Sequence, residues 1–245
     1  MLNSWFGARK AKPAHVISVI LPFWQRNSIT EFALDAMARL YQDLAMEVIF
    51  VDDGSPDPLT IGKHYPWPVK VMRLPAKDVP KNPCVPINRG VKEASGDVIV
   101  LSNPEIIHDQ PIFPAMLEEL RRLGENGYVL AAAWCPEQVL WHCHCSVAGD
   151  RPTGEKQPPG SGYHFCAMLY KSLFERAGGF DEEYREGAGY DDPDWVNRVH
   201  RAGAVFKIRD DLVVIHTKYG AQTAWPSGAF ARNRAIYARK WGLSA

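Results

Sequence analysis

In HVISVILPFW, residues 15–24, Val16 to Leu21 is a β-branched, apolar run, with Ser18 its one polar member, closed by Pro22. So short a run, without polar alternation, predicts a strand buried on both faces, as in parallel sheets. Ser28-Ile29-Thr30-Glu31 has capping-box spacing and predicts the start of a helix. Ile29, Phe32, Ala33, Ala36, Met37 and Leu40 continue that helix at its proper period. A second apolar run, EVIFV (47–51), then ends in the polar turn DDGSPDP. Strand, helix and strand in this order make a βαβ unit.

The pattern repeats further along the chain. Val69 to Leu74 reads as a third strand, Val85 to Ala94 as a short helix with Pro86 in its first turn, and DVIVL (97–101) as a fourth strand. A helix near Phe113 to Leu123 and a strand over Tyr128 to Ala133 follow. The implied architecture is α/β, a Rossmann-like, mostly parallel central sheet flanked by helices, with ligands beyond the carboxyl ends of its strands. The second half is less regular. Strands are expected over Val139 to Val147, Phe165 to Tyr170 and Val213 to His216, and a loop over Asp150 to Gly162. Asp192-Pro193 supplies an N-cap and an N1 proline for a helix running to about Arg201, ended by Gly203. A terminal helix spans Ala229 to Trp241. With no repeat and no linker, residues 1–245 read as one domain, of which 126–245 form a smaller, irregular half.

Composition narrows the function classes. In 245 residues, 28 Lys plus Arg balance 28 Asp plus Glu, so no global field draws the chain to nucleic acid or an anionic membrane. No apolar run approaches the roughly 18–20 residues of a transmembrane helix. The N-terminus lacks the apolar core of a secretory signal. Five cysteines without paired spacing favour reduced thiols. These features predict a soluble cytoplasmic protein, with peripheral contact to a membrane left open.

Carboxylates gather at three turns: Asp52 and Asp53 after EVIFV, Glu105 within Ser102-Asn103-Pro104-Glu105, and Asp191, Asp192 and Asp194 around the start of a helix. Each alone is ordinary turn or cap chemistry. Their shared placement at the binding edge of one sheet points to a site. Asp194 has a structural role open to it, capping the helix or pairing with Arg198 at i+4.

VISVILPFWQRN, EVIFVDDGSPD, NRGVKEASGDVIVLSNPE and AGGFDEEYREGAGYDDPDWVNRVHRAG, over residues 15 to 220, resemble in their order the motifs of family 2 glycosyltransferases of the GT-A fold. The last is also similar to the acidic stretch of the β-1,4-galactosyltransferases. The resemblance implies an inverting transferase moving a sugar from a nucleotide sugar, UDP-linked, to an acceptor hydroxyl. It implies a nucleotide-sugar half at 15–125 and an acceptor-binding, catalytic half at 126–245. Trp24 then stacks on the base, with Pro22 and Phe23 shaping its pocket. Asp53 accepts from the uracil imide, Asp52 supports the turn, and Asn103 lies at the nucleotide.

The family's Asp-X-Asp metal motif is replaced here by Ser-Asn-Pro-Glu. By resemblance Glu105 aligns with the carboxylate for Mn²⁺ or Mg²⁺, and His216 with a late metal-site histidine; hard cations take oxygen donors, and imidazole favours manganese. Asp192 matches the catalytic base, with Asp191 before it. Pro86-Ile87-Asn88 stands where the family often has Ala-Arg-Asn, and Arg89 would face about 100° away from the missing arginine. The expected acceptors are a glycan, a lipid-linked sugar, a protein side chain or a hydroxylated nucleic-acid base. The altered metal motif also admits a second reading, a catalytically inactive GT-A-like module that binds nucleotide or sugar. A nucleotidyltransferase fits less well, because PFWQRN lacks a glycine-rich phosphate loop.

Two clusters stand apart. Trp141-His142-Cys143-His144-Cys145 carries soft-metal side chains, yet strand alternation sends His142 and His144 to one face and Cys143 and Cys145 to the other. Zinc there needs Cys135 or Cys166 as partners. Arg232, Arg234, Arg239 and Lys240, with Tyr237 and Trp241, read as a solvated basic helix face.

Overall fold

The computed structural model describes residues 17–143, 165–218 and 225–242. Its first part is the expected βαβ alternation. Strand β1 (Ile17–Phe23) leads through helix α1 (Asn27–Leu40) to β2 (Met46–Asp52), and β3 (Val69–Arg73) follows. Helix α2 (Cys84–Glu93), β4 (Val98–Ser102), the short β5 (Ile106–Ile107), α3 (Ile112–Leu123) and β6 (Gly127–Cys135) complete this part. After it come β7 (Leu140–Cys143), β8 (Cys166–Tyr170), α4 (Lys171–Arg176), α5 (Asp191–Arg201), β9 (Val205–His216) and α6 (Ala229–Trp241).

Among the described residues the strands form one sheet in the order β3-β2-β1-β4-β8-β6-β9-β5, with β7 on β6. β1 to β4, β6 and β9 run one way; β5, β7 and β8 run against them. The sheet is thus mostly parallel, as expected, and β1, β2, β4, β6 and β9 all end on one edge. Apolar side chains from both faces, among them Ile17, Ile20, Val48, Ile49, Val100 and Met168, are fully buried, which explains the unalternating runs. No helix among the described residues is long and apolar enough to cross a membrane.

Several local expectations are corrected. β1 continues through Pro22 to Phe23, past Ile20↔Leu101 where its ladder with β4 ends, so an imino residue is tolerated there. The capping box does not form: α1 begins at Asn27, so Ser28 lies inside it, and its N-cap Arg26 makes no side-chain cap. Phe32 is 55% exposed, and Leu34 takes a buried place instead. β9 starts eight residues earlier than Val213, because its half-exposed, charged beginning hides a strand that pairs with β6. Helix α5 begins at Asp191, with Tyr190 as its left-handed N-cap (φ 67°), so Asp192 is a first-turn residue rather than the cap. Val139 belongs to the turn before β7, which among the described residues runs over Leu140–Cys143. Val16, residues 144–147 of that strand and the Asp150–Gly162 loop lie outside the described residues.

The basic face of α6 is not simply solvated. Lys240 pairs with Asp181 and Asp194, Arg239 with Glu183, and Arg232 donates to the Glu183 carbonyl. Asn233 is fully buried and donates to the carbonyls of Tyr184 and Gly189 at 3.0 and 2.9 Å. The terminal helix therefore clamps the acidic segment in place.

Candidate active site

The edge where the parallel strands end holds a cavity of about 520 Å³. Pro22, Phe23 and Trp24 enter it from the end of β1, Asp53 from the turn after β2, and Asn103 and Glu105 from the turn after β4. Asp191 and Asp192 reach it from the start of α5, and His216 from the end of β9. Asp52 does not line it. Its carboxylate is 1% exposed and accepts from the amides of Ser55 and Leu59 at 2.8 and 3.2 Å and from Arg73 at 2.8 Å. It holds the turn that presents Asp53.

That turn depends on Gly54, whose φ is +83°; a Cβ there would lie 2.1 Å from the Pro75 carbonyl oxygen. Asp53 is buried and paired with Lys77. Burial pushes its carboxyl above the ordinary range, with Lys77 working against the rise.

Glu105 is 6% exposed. Its Oε1 lies 3.5 Å from both Arg26 and His216 Nε2, while its Oε2 is buried with no hydrogen-bond partner among the described residues. Burial alone would raise this carboxyl, but His216 and Arg26 outweigh it and hold it below the usual carboxylate range.

The acidic motif is set from behind. Asn88 grips Phe180 twice, donating to its carbonyl and accepting from its amide, both at 2.8 Å. Gly179, at φ +66°, makes this approach possible, since a Cβ would come within 2.7 Å of Asn88 Oδ1. Phe180 stacks on the buried Trp195 of α5 at 4.7 Å. Asp191 is 4% exposed and accepts from Asn82 at 2.7 Å; Asp192 is half-buried at the cavity wall. Gln25 and Tyr190, two of three non-glycine residues with left-handed backbone among the described residues, flank Trp24 and Asp191. Backbone strain thus concentrates at the cavity.

Sequence reasoning missed Arg26, Lys81, Phe165 and Trp225, which also line the cavity. Arg26 had a signal, standing two residues after Trp24; the others are brought in by tertiary packing. Arg89 is exposed and does not line the cavity, as helical geometry required, whereas Pro86 does. Of the 141–145 cluster, His144 and Cys145 lie outside the described residues, and Cys143 is packed in the core.

A mostly parallel sheet with aromatic and acidic residues converging at its strand ends defines a GT-A type α/β protein. The family model for glycosyl transferase family 2 matches residues 18–173, more than half of the chain, and the chain belongs to that family. It is 31% identical over 110 residues to a dolichol-phosphate mannosyltransferase of Pyrococcus furiosus, covering 43% of this chain and 30% of that protein. It thus spans less than a third of that curated relative's length. The fold is shared with the mannosyltransferase PcManGT from Pyrobaculum calidifontis in complex with GDP-Man and Mn²⁺ (TM-score 0.64, 17% identity, 94% of this chain and 65% of that one). It is shared equally with residues 1–349 of S. aureus TarS in complex with UDP-GlcNAc (TM-score 0.67, 14% identity, 91% and 66%).

Proposed function

We propose that this chain transfers a sugar from a nucleotide sugar to an acceptor hydroxyl with inversion, and that the donor is UDP-linked. The observation that carries this reading is the convergence on one cavity of Trp24, Asp53, Glu105 and Asp192 from four separate turns. Trp24 offers a flat face to a base and Asp53 an acceptor to an imide N–H, enough to orient a uracil ring. The nucleotide half at 15–125 supplies these groups, and the half at 126–245 supplies the base and the acceptor side. TarS, a structural neighbour, was solved with UDP-GlcNAc, and PcManGT with GDP-Man; the choice of uracil rests on the residues of this chain.

The site suits a divalent cation, Mn²⁺ or Mg²⁺. The buried Oε2 of Glu105 is a hard oxygen donor lacking a partner among the described residues, and His216 stands beside it. Such an ion would supply positive charge to the departing diphosphate. Arg26, 3.5 Å from Glu105 and with Nη1 buried and unpartnered among the described residues, adds a fixed charge there.

Asp192 serves as the base that takes the acceptor hydroxyl's proton as it attacks the anomeric carbon. Asp191 is the positioning neighbour, because it is buried and held by Asn82. Trp225 and the 54% exposed Phe230, with ring centroids 6.3 Å apart at the cavity, give the acceptor aromatic faces. A glycan or other hydroxylated acceptor suits such faces. The test is release of UDP from UDP-sugars across an acceptor panel, with Mn²⁺, Mg²⁺ or chelator. Metal-dependent release supports the reading. Tight UDP binding without release from any donor, unchanged in Glu105→Gln, would favour a binding module instead.

A further inference from the structure

The parallel register between β6 and β9 aligns Trp134 with Ile215, so the next residues, Cys135 and His216, end adjacent strands side by side. β7 folds back on β6 with Leu140 opposite Cys135, which brings His142 to the same corner. One ligand atom each from Cys135, His142 and His216 lies within 4.8 Å of the others. The two imidazoles meet edge to face with centroids 4.7 Å apart.

Two further observations point to a ligand. His142 Nε2 and His216 Nδ1 are both buried with no hydrogen-bond partner among the described residues, and His216 as a whole is 4% exposed. Buried polar nitrogens ordinarily find partners, so a pair of orphans at one corner needs an explanation. The Cys135 residue is fully buried, and its thiol has the side-chain oxygens of Glu137 and Gln138 as hydrogen-bond acceptors, both at 3.6 Å.

We infer that Cys135, His142 and His216 bind a borderline-soft divalent ion of the zinc class. This goes beyond the transferase reading and needs neither nucleotide nor acceptor. A thiolate and two neutral imidazoles are donors that zinc takes in tetrahedral sites, whereas Mg²⁺ and Mn²⁺ prefer oxygen. Binding replaces the thiol proton, which leaves to solvent, so affinity rises with pH. With Nδ1 of His216 on the ion, Nε2 carries the ring proton toward Glu105, 3.5 Å away. That is the histidine–carboxylate support common behind metal ligands.

The test uses the whole chain, stripped with a chelator and titrated with Co²⁺ without nucleotide. One Co²⁺ per chain is expected, with a thiolate-to-cobalt charge-transfer band that Zn²⁺ abolishes and Mg²⁺ leaves intact. Cys135→Ser should lose the band. His142→Ala should weaken Co²⁺ binding at least as much as loss of an outer partner does, about 10–100-fold. Glu105→Gln, which removes only the outer partner of His216, should keep the band at saturating Co²⁺ with at most about a 10–100-fold loss of affinity, whereas Cys135→Ser removes the band itself. A wild-type chain without the band, or a band surviving in Cys135→Ser, overturns the inference. Should Cys135→Ser fail to fold, unchanged Co²⁺ affinity in His142→Ala overturns it as well.

Discussion

Lys240 of the terminal helix lies 2.8 Å from Asp194, a carboxylate 1% exposed in the helix that begins with the acidic motif. The same Asp194 oxygen accepts from Trp241 Nε1 at 2.9 Å and from the Tyr184 hydroxyl at 3.2 Å. Arg198, its i+4 partner in the sequence, lies farther off, 4.0 Å from the other carboxylate oxygen. Asp194 is therefore a fastening point between the C-terminal helix and the wall of the cavity.

Lys240→Met keeps the aliphatic stem and removes the charge. The buried carboxylate retains two neutral donors, so the expected loss is about 2 kcal/mol, below that of a fully stranded buried ion. Urea unfolding at neutral pH measures it. A change under about 0.5 kcal/mol would place the pair among ordinary surface bridges.

Glu47 gives the pH dependence. Burial alone would raise its carboxyl, but hydrogen bonds from Lys70, Ser18 and Ser95 outweigh it and bring the pKa from 4.5 to about 2. Because the folded value is the lower one, the stabilisation is complete above pH 4.5 and disappears as pH falls toward 2. Glu47→Gln should be less stable than wild type at neutral pH, and the gap should close as the solution is acidified. Unfolding curves at several pH values check this; a gap independent of pH contradicts it.

Much of the fold was legible because the runs at 17–21, 47–51 and 98–101, apart from the mutually bonded Ser18 and Glu47, are apolar and β-branched over strand lengths. The helix start at Ser28 misread a local signal: the helix begins at Asn27, whose side-chain amide donates to Asp57 at 2.8 Å, a partner thirty residues away. Most proposed site residues could be named from their turns, since strand ends fix where turns point. The resemblance gave Asp52 the turn and Asp53 the base, and the three donors to Asp52, from as far as Arg73, are the long-range contacts that the sequence could not supply. In the corner of Cys135, His142 and His216, Cys135 was already a named partner for zinc, but the meeting of His216 with it was hidden. Alternation within one strand correctly kept His142 from Cys143, but the partners come from the ends of two other strands.

Asp53→Ala tests the base pocket. Losing a buried acceptor and stranding its donor should weaken UDP binding by about 1–3 kcal/mol. Lys77 is released by the same change, so Lys77→Met is the control; it should leave more affinity than Asp53→Ala. Calorimetry with UDP and GDP measures both. Equal UDP affinity in wild type and Asp53→Ala removes the uracil assignment.

Asp192→Asn bears most directly on the chemistry. Asp192 is a half-buried first-turn residue of α5 whose N-cap is Tyr190, so the amide disturbs no side-chain cap. Losing one of three first-turn carboxylates at a helix N-terminus should cost only about 0.3–1 kcal/mol of stability. The amide cannot take a proton from the acceptor, and loss of a general base typically lowers the rate by about 10²–10⁴-fold. UDP and Mn²⁺ binding should stay near wild type, because those contacts are assigned to Trp24, Asp53 and Glu105. Asp191→Asn is the informative comparison. It keeps the oxygen that accepts from Asn82, so its effect on transfer should be milder. If Asp191→Asn abolishes transfer while Asp192→Asn retains it, the base is Asp191. If neither affects transfer, proton removal by this acidic pair is not part of the reaction.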